Sequence, residues 1–283
     1  MSGDWRYEQL HDALRLGLRA ENILYDSKTE HQHLVLFENA KFGKVLTLDT
    51  VLQTTSRDEF IYHEMLTHVP ILAHGAVRRV LIIGGGDGGM LEEVLKHRAV
   101  ETVTMVEIDA AVIEFSKKYL PEICKDAFED PRTDLVIGDG YAFVGQDGPK
   151  YDLIIVDSTD PLGPGEVLFT RNFYARCHAC LNDGGILVTQ NGVPFMQPSE
   201  LQQTVGFLRP MFADVSCYLA SVPTYVGGPM AFGWATDNKA LRSVSADKLD
   251  VRFRSANLDT QYYTPAVHKA AFALPGYVSK LLA

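Results

Sequence analysis

From Arg79 onward the chain repeats one unit: a short apolar run, a loop of glycines and acids, then a stretch with helical spacing. Val80-Leu-Ile-Ile83 runs into Gly84-Gly-Gly-Asp-Gly-Gly89 and a helix over Met90–His97. Thr102–Val106 runs into Glu107-Ile-Asp109 and a helix over Ala111–Tyr119. Asp134–Ile137 leads to Gly138-Asp139-Gly140, Leu153–Val156 to Asp157-Ser-Thr-Asp160, and Gly185–Thr189 to Gln190-Asn-Gly192. Strands alternating with helices predict a mostly parallel sheet covered on both faces. Asp214–Leu219 and Ala231–Thr236 are expected to add strands at the far edge. The expected class is α/β, a mostly parallel sheet with helices on both faces.

Residues 1–57 follow a different pattern, with alternation and turn residues in place of helical spacing. Strands are expected at Ile23–Tyr25, His33–Glu38, Lys44–Leu48 and Leu52–Thr55, with turns at Asn39–Gly43 and Asp49-Thr50. So short a β unit has a modest core and is expected to pack on its neighbour or on another subunit. The domain division is therefore 1–57, a β-strand and hairpin domain, and 58–283, the larger α/β domain, opening with a connecting helix over 58–74. That helix carries an apolar stripe of Phe60, Ile61, Met65, Leu66 and Val69, followed by Pro70. The tail from Ser255 is expected to be irregular and to wrap the surface.

Composition narrows the partners. The 283 residues carry 36 acids against 26 Lys and Arg, a formal charge of −10. That argues against binding nucleic acid through its phosphates, which needs a basic face. It suits a small cationic substrate. No apolar run approaches the ~20 residues that span a bilayer, and the first residues lack the apolar core of a signal peptide. A cytoplasmic protein with no membrane partner is expected. Cys124, Cys177, Cys180 and Cys217 are too few and too scattered for a disulfide framework. Cys177 and Cys180 share a helical face and are read as small buried residues; no second ligand pair with zinc spacing is present.

Ligands of open α/β sheets bind outside the carboxyl ends of the strands. The Gly84–Gly89 loop lets a ligand approach the backbone and opens a helix whose N-terminus carries partial positive charge. Glu107, 20 residues beyond Asp87 at the end of the second strand, is placed to accept hydrogen bonds from ribose hydroxyls. Asp87 sits where a pyrophosphate would lie, and a carboxylate there repels phosphate. The ligand is thus read as a nucleoside bearing a positive group, such as a sulfonium. Asp139 and Gly140, at the third strand's end, either receive an adenine amino group or form a simple turn. The run Tyr151–Gly165 delivers Asp157 and Asp160 into a Pro/Gly-rich loop, an arrangement suited to holding a cation; capping of a turn is the alternative for Asp157.

Five segments in order resemble the spermidine synthases, the polyamine aminopropyltransferase family. They are Asp58-Glu-Phe-Ile-Tyr-His-Glu-Met65, Leu81-Ile-Ile-Gly-Gly-Gly-Asp-Gly88, Met105-Val-Glu-Ile-Asp109, Asp157-Ser-Thr-Asp-Pro-Leu-Gly-Pro164, and Pro223-Thr-Tyr225 with Gly227-Gly228. The resemblance implies a small N-terminal β domain joined to a methyltransferase-like Rossmann domain. It implies transfer of the aminopropyl group of decarboxylated S-adenosylmethionine to putrescine, giving spermidine and S-methyl-5′-thioadenosine, with no metal or other cofactor.

By the same resemblance Asp157 is the general base, helped by Tyr62 and Tyr225. Gln32, Gln53, Asp87, Glu107, Asp139, Gly140 and Pro164 resemble the donor site. His63, Asp87, Asp157, Ser158, Thr159, Asp160, Gln190 and Tyr225 resemble the polyamine site. Read without the family, Tyr62 and Tyr225 are equally ordinary packing aromatics, and His63 a polar residue at a domain seam. Residues 160–170 form either a closing lid or a rigid turn. Agmatine, cadaverine and spermidine stay open as acceptors, and a homodimer or homotetramer is expected. The rivals are a small-molecule methyltransferase on the same sheet and a non-catalytic nucleoside sensor.

Overall fold

The computed structural model describes residues 4–29, 32–159, 161 and 163–283. The chain opens with an antiparallel pair, β1 (Asp4–Tyr7) and β2 (Gly17–Ala20). An antiparallel sheet follows in chain order: β3 (Asn22–Lys28), β4 (His33–Asn39), β5 (Gly43–Leu48) and β6 (Val51–Thr55). Its alternation buries both faces. Leu34, Leu36 and Leu46 meet Val112, Phe115, Leu120 and Ile123 of the following domain. Val35, Phe37, Val45 and Leu52 gather under Leu18 and Ala20. The β unit therefore packs on its neighbour within the same chain.

Helix α1 (Glu59–His74) then crosses the molecule with Pro70 inside it. Proline removes one helical hydrogen bond at a cost of roughly 3 kcal/mol. The helix continues because Ile71, Leu72 and Ala73 are buried beyond it, and each large apolar side chain so placed contributes about 1.5–3 kcal/mol. Gly75 ends the helix in a left-handed conformation, φ +76°, with its N–H donating to the Ile71 carbonyl at 2.8 Å.

The larger sheet takes β7 (Arg79–Gly84), β8 (Thr102–Glu107), β9 (Thr133–Ile137), β10 (Tyr151–Asp157), β11 (Leu181–Gln190), β12 (Asp214–Ala220) and β13 (Met230–Thr236). Their order is β12-β13-β11-β10-β7-β8-β9. Pairing is parallel from β9 through β11, and β13 runs antiparallel to both β11 and β12. Both faces of the central strands are buried, as continuous apolar runs require. Val80, Ile82, Leu153 and Ile155 face one core, and Leu81, Ile83, Ile154 and Val156 face the other.

Helices α2 (Gly89–Leu95), α3 (Ala110–Tyr119), α4 (Pro121–Cys124), α5 (Gly140–Phe143), α6 (Arg171–Cys180) and α7 (Pro198–Leu208) connect the strands. The tail departs from expectation. Beyond α8 (Ala246–Ala256) it forms α9 (Pro265–Ala271) and α10 (Gly276–Leu281), and it is anchored, not merely wrapped. Tyr263 is fully buried, and the Glu64 carboxylate of α1 accepts the backbone N–H groups of Gln261, Tyr262 and Tyr263 at 2.7, 2.9 and 2.6 Å. Cys177 is buried, Cys180 is half-buried, and both thiols are free. Among the described residues no helix is long and apolar enough to cross a membrane.

Candidate active site

The chain runs from β7 outward to β9, then returns to lay β10 on the other side of β7. The strand order reverses between β7 and β10, and a crevice opens there. Its floor is set by backbone contact. Gly84 pairs with Asp157, and Gly85 N–H donates to the Asp157 carbonyl at 2.9 Å. A Cβ on Gly84, whose φ is +85°, would lie 2.1 Å from that carbonyl oxygen. Only glycine lets the loop close over the end of β10.

Asp157 projects from the end of β10, and Tyr62 Oη of α1 donates to its Oδ1 at 2.5 Å. Burial raises the Asp157 carboxyl. The His63 side chain pulls it back, the Asp87 carboxylate pushes it up again, and the result is about 6. Tyr62 lies well above its ordinary value, through burial first and then the neighbouring Asp157 carboxylate. Its hydroxyl is a donor at every physiological pH.

A row of alternating charges runs beside this pair. His63 Nδ1 sits 2.6 Å from Glu59 Oε2, one turn earlier on α1, and Nε2 sits 3.5 Å from Asp87 Oδ2. Burial alone would lower the imidazole; Asp87 and Glu59 outweigh it and raise it to about 10. The group is an imidazolium between two carboxylates. Asp87 is held by Gly89 N–H, which donates to its Oδ1 at 3.0 Å. A Cβ on Gly89 would strike the His63 ring at 2.3 Å, so the start of α2 packs this closely only as glycine.

On the far side of β7, Glu107 ends β8 almost fully buried. Burial raises its carboxyl to about 7 despite the Asp109 N–H that donates to Oε1 at 3.0 Å. Asp139 Oδ1 accepts Tyr141 N–H at 2.8 Å and caps α5, so its turn role is real, and the residue also lines the cleft. Gly140 lies beneath, in contact with Ile83.

The β unit supplies the opposite wall. Gln32 reaches Asp109 Oδ2 at 3.5 Å, and Gln53 offers its backbone carbonyl to Tyr225 Oη at 2.5 Å. The Tyr62 and Tyr225 rings stand 6.1 Å apart, edge to face. Gln190 donates to the Ser158 carbonyl at 3.2 Å and accepts Gly192 N–H at 2.9 Å. Its amide thus braces the backbone of the Asp157 loop. Ser158 Oγ is buried at the cleft without a hydrogen-bond partner among the described residues.

One cavity joins these groups. It is lined by Gln32, Gln53, Tyr62, His63, Asp87, Glu107, Asp139, Gly140, Asp157, Ser158, Thr159, Gln190 and Tyr225. Asp160 and the Pro164 side chain lie outside the described residues. Residues 163–169 form a short 3-10 helix, and of these Gly165 and Leu168 reach the cavity. Glu8, His11, Asp58 and Glu59 also line it and were not picked out as site residues in the sequence. Glu59 alone carried a usable signal, its i,i+4 spacing to His63 on a helix. Asp109 also matters without lining the cavity: it caps α3 through Ala111 N–H and accepts Thr29 Oγ1 at 2.8 Å, fastening the β unit to the sheet.

A doubly wound sheet with a nucleoside-type crevice at its switch point defines a Rossmann-like enzyme of the methyltransferase architecture. Residues 59–246 match the spermine/spermidine synthase domain, and residues 5–56 match the spermidine synthase tetramerisation domain. The polyamine aminopropyltransferase of Ruegeria sp. (strain TM1040) is 61% identical over 277 residues, 98% of each chain. That of Pseudomonas syringae pv. tomato is 57% identical, covering 96% of this chain and 95% of its own. A crystal structure of spermidine synthase in complex with the transition state analogue AdoDATO superposes with a TM-score of 0.94 at 36% identity, covering 100% of this chain and 96% of that one. The Thermotoga maritima spermidine synthase gives 0.92 at 35%, covering 100% and 95%. The chain belongs to the spermine/spermidine synthase family and is a polyamine aminopropyltransferase.

Proposed function

We propose that the enzyme transfers the aminopropyl group of decarboxylated S-adenosylmethionine to putrescine, with Asp157 as general base. Glu107 accepts from the ribose hydroxyls, Asp139 and Gly140 border the adenine, and Gln32 and Gln53 close over the donor from the β unit. Asp87 pairs with the donor's terminal ammonium. The acceptor lies between Tyr62, Tyr225 and the Asp157 loop.

An alkylamine titrates near pH ~10 and arrives protonated. Asp157 takes that proton, and the freed nitrogen lone pair attacks the carbon beside the sulfonium. The C–N bond forms as the C–S bond breaks, and the sulfur leaves with the electron pair as neutral methylthioadenosine. The leaving group is good, so most of the work is orientation and deprotonation. The observation that carries this reading is the buried Asp157 carboxyl, raised to about 6 and held by Tyr62 at 2.5 Å in a cleft shared with Asp87. A base of that strength is ionised at neutral pH and still accepts a proton readily.

The test is a competition. The enzyme is given decarboxylated S-adenosylmethionine with equimolar putrescine, cadaverine, agmatine and spermidine, and products are read by mass. Spermidine is the expected main product; a dominant product from another amine moves the acceptor assignment. We further infer a homotetramer. The match of residues 5–56 to a tetramerisation domain supports it, as do Trp5 and Tyr7 of β1, 53% and 52% exposed. Light scattering of the full chain reads the state directly.

A further inference from the structure

Asp58 stands at the N-cap of α1, where an Asp ordinarily bonds the helix's own free N–H groups. It makes no such bond. Its carboxylate, 5% exposed, is turned to two other segments. Oδ1 accepts Thr55 Oγ1 at 2.6 Å, and Oδ2 accepts both Thr224 N–H at 2.7 Å and Thr224 Oγ1 at 2.5 Å.

Those segments carry site residues. Thr55 ends β6, which holds Gln53; Thr224 precedes Tyr225; and α1 carries Tyr62 one turn on. Tyr225 closes the loop by donating to the Gln53 carbonyl. Three pieces of chain, from two domains, thus meet at one carboxylate. The helix forgoes its side-chain cap, and the three hydrogen bonds from Thr55 and Thr224 to the same carboxylate take its place.

We propose that Asp58 is a positioning residue for the acceptor half of the site, fixing Tyr225, whose hydroxyl is anchored on the Gln53 backbone carbonyl, relative to Tyr62. It acts through hydrogen bonds and does not touch substrate through its charge. This rests on the proposed aminopropyl transfer.

The amide of Asn has the same shape. Its oxygen accepts both Thr224 donors, and its NH2 donates to Thr55 Oγ1, which rotates to accept. Alanine leaves Thr224 N–H buried without a partner. The experiment compares wild type, Asp58→Asn and Asp58→Ala for putrescine KM and kcat, and for methylthioadenosine Kd by calorimetry. In Asp58→Ala, kcat/KM for putrescine is expected to fall about 10-fold or more, the scale of a lost buried hydrogen bond to a charged group. Methylthioadenosine Kd should stay within about twofold, and Asp58→Asn should recover most of the loss.

Equal damage to acceptor kinetics and nucleoside affinity would overturn positioning of the acceptor half. An Asp58→Asn enzyme as poor as Asp58→Ala would instead assign the effect to the charge and also overturn it. If Asp58→Ala does not fold, Thr224→Val removes one of the three bonds without emptying space, and the same split must appear in smaller measure. Wild-type turnover of putrescine is the control that tests the underlying reaction separately.

Discussion

Tyr62 Oη and Asp157 Oδ1 lie 2.5 Å apart, joining the helix between the two domains to the strand end at the centre of the sheet. The bond does two opposed things. It steadies the carboxylate in one rotamer, and it partly offsets the burial that raises Asp157 to about 6.

Replacing Asp157 by Asn therefore separates activity from stability. Turnover is expected to fall by ~10²–10⁴, the usual span for loss of a general base. Stability moves the other way. The folded carboxyl titrates near 6 against an ordinary 3.8. Folding is favoured by the protonated form, an advantage fully present below pH ~4 and lost as pH rises through about 6. At pH 8 the folded chain bears an ionised group that it accommodates poorly, and Asn removes that cost. A gain of about 1–3 kcal/mol in chemical denaturation at pH 8, shrinking below pH 4, is the expected result.

The same carboxyl sets an acid limb in the rate. The pH profile of kcat/KM for the acceptor should bend downward near pH 6 in the free enzyme. Tyr62→Phe removes the donor that favours the ionised form, so its inflection should move to higher pH. Initial rates across pH 5–9 in buffers of constant ionic strength check both.

His63 should be an imidazolium at neutral pH. Its folded value near 10 lies above its ordinary 6.5, so the stability it contributes is present below pH ~6.5 and lost as pH rises through about 10. Nitrogen-edited NMR of the imidazole should show both ring nitrogens protonated at pH 8. In Glu59→Gln, which removes one of the two facing carboxylates, the ring should titrate at lower pH.

Glu107 offers a test without turnover. Ribose hydroxyls bond best to the ionised carboxylate, and burial raises this one to about 7 in the empty site. Methylthioadenosine is neutral, so its affinity should weaken as pH falls below 7. Calorimetry at pH 6 in buffers of different ionisation enthalpy should record proton release on binding.

Much of the fold was legible because both periods were strong. Val80–Ile83 and Leu153–Val156 are unbroken apolar runs, and each ends at a glycine or acid that also ends the strand. The acids at those ends were found by position alone. Contacts made across long stretches of chain were not. Asp58 meets Thr224 and Glu64 meets Tyr263 only once the larger domain has folded on itself, and Asp109 meets Thr29 only after the two domains have packed. Asp58 in particular looks like an ordinary helix cap, and the tertiary bond that replaces the cap leaves no mark in local pattern. The tail looked irregular because α9 and α10 are short and are held by burial of Tyr263, Ala271 and Val278.

The cleft's carboxylates are expected to admit ammonium beside the sulfonium and to turn away an anion. Glu59, His63 and Asp87 sum to one negative charge with the imidazolium counted, before Asp157 is added. An intact S-adenosylmethionine carboxylate placed there meets like charge, which costs several kcal/mol, roughly a hundredfold or more in affinity. The decisive measurement is the calorimetric ratio of affinities for decarboxylated and intact S-adenosylmethionine in wild type and in Asp87→Asn. A large wild-type preference that falls to within about tenfold in Asp87→Asn is the predicted result; an unchanged ratio would contradict it.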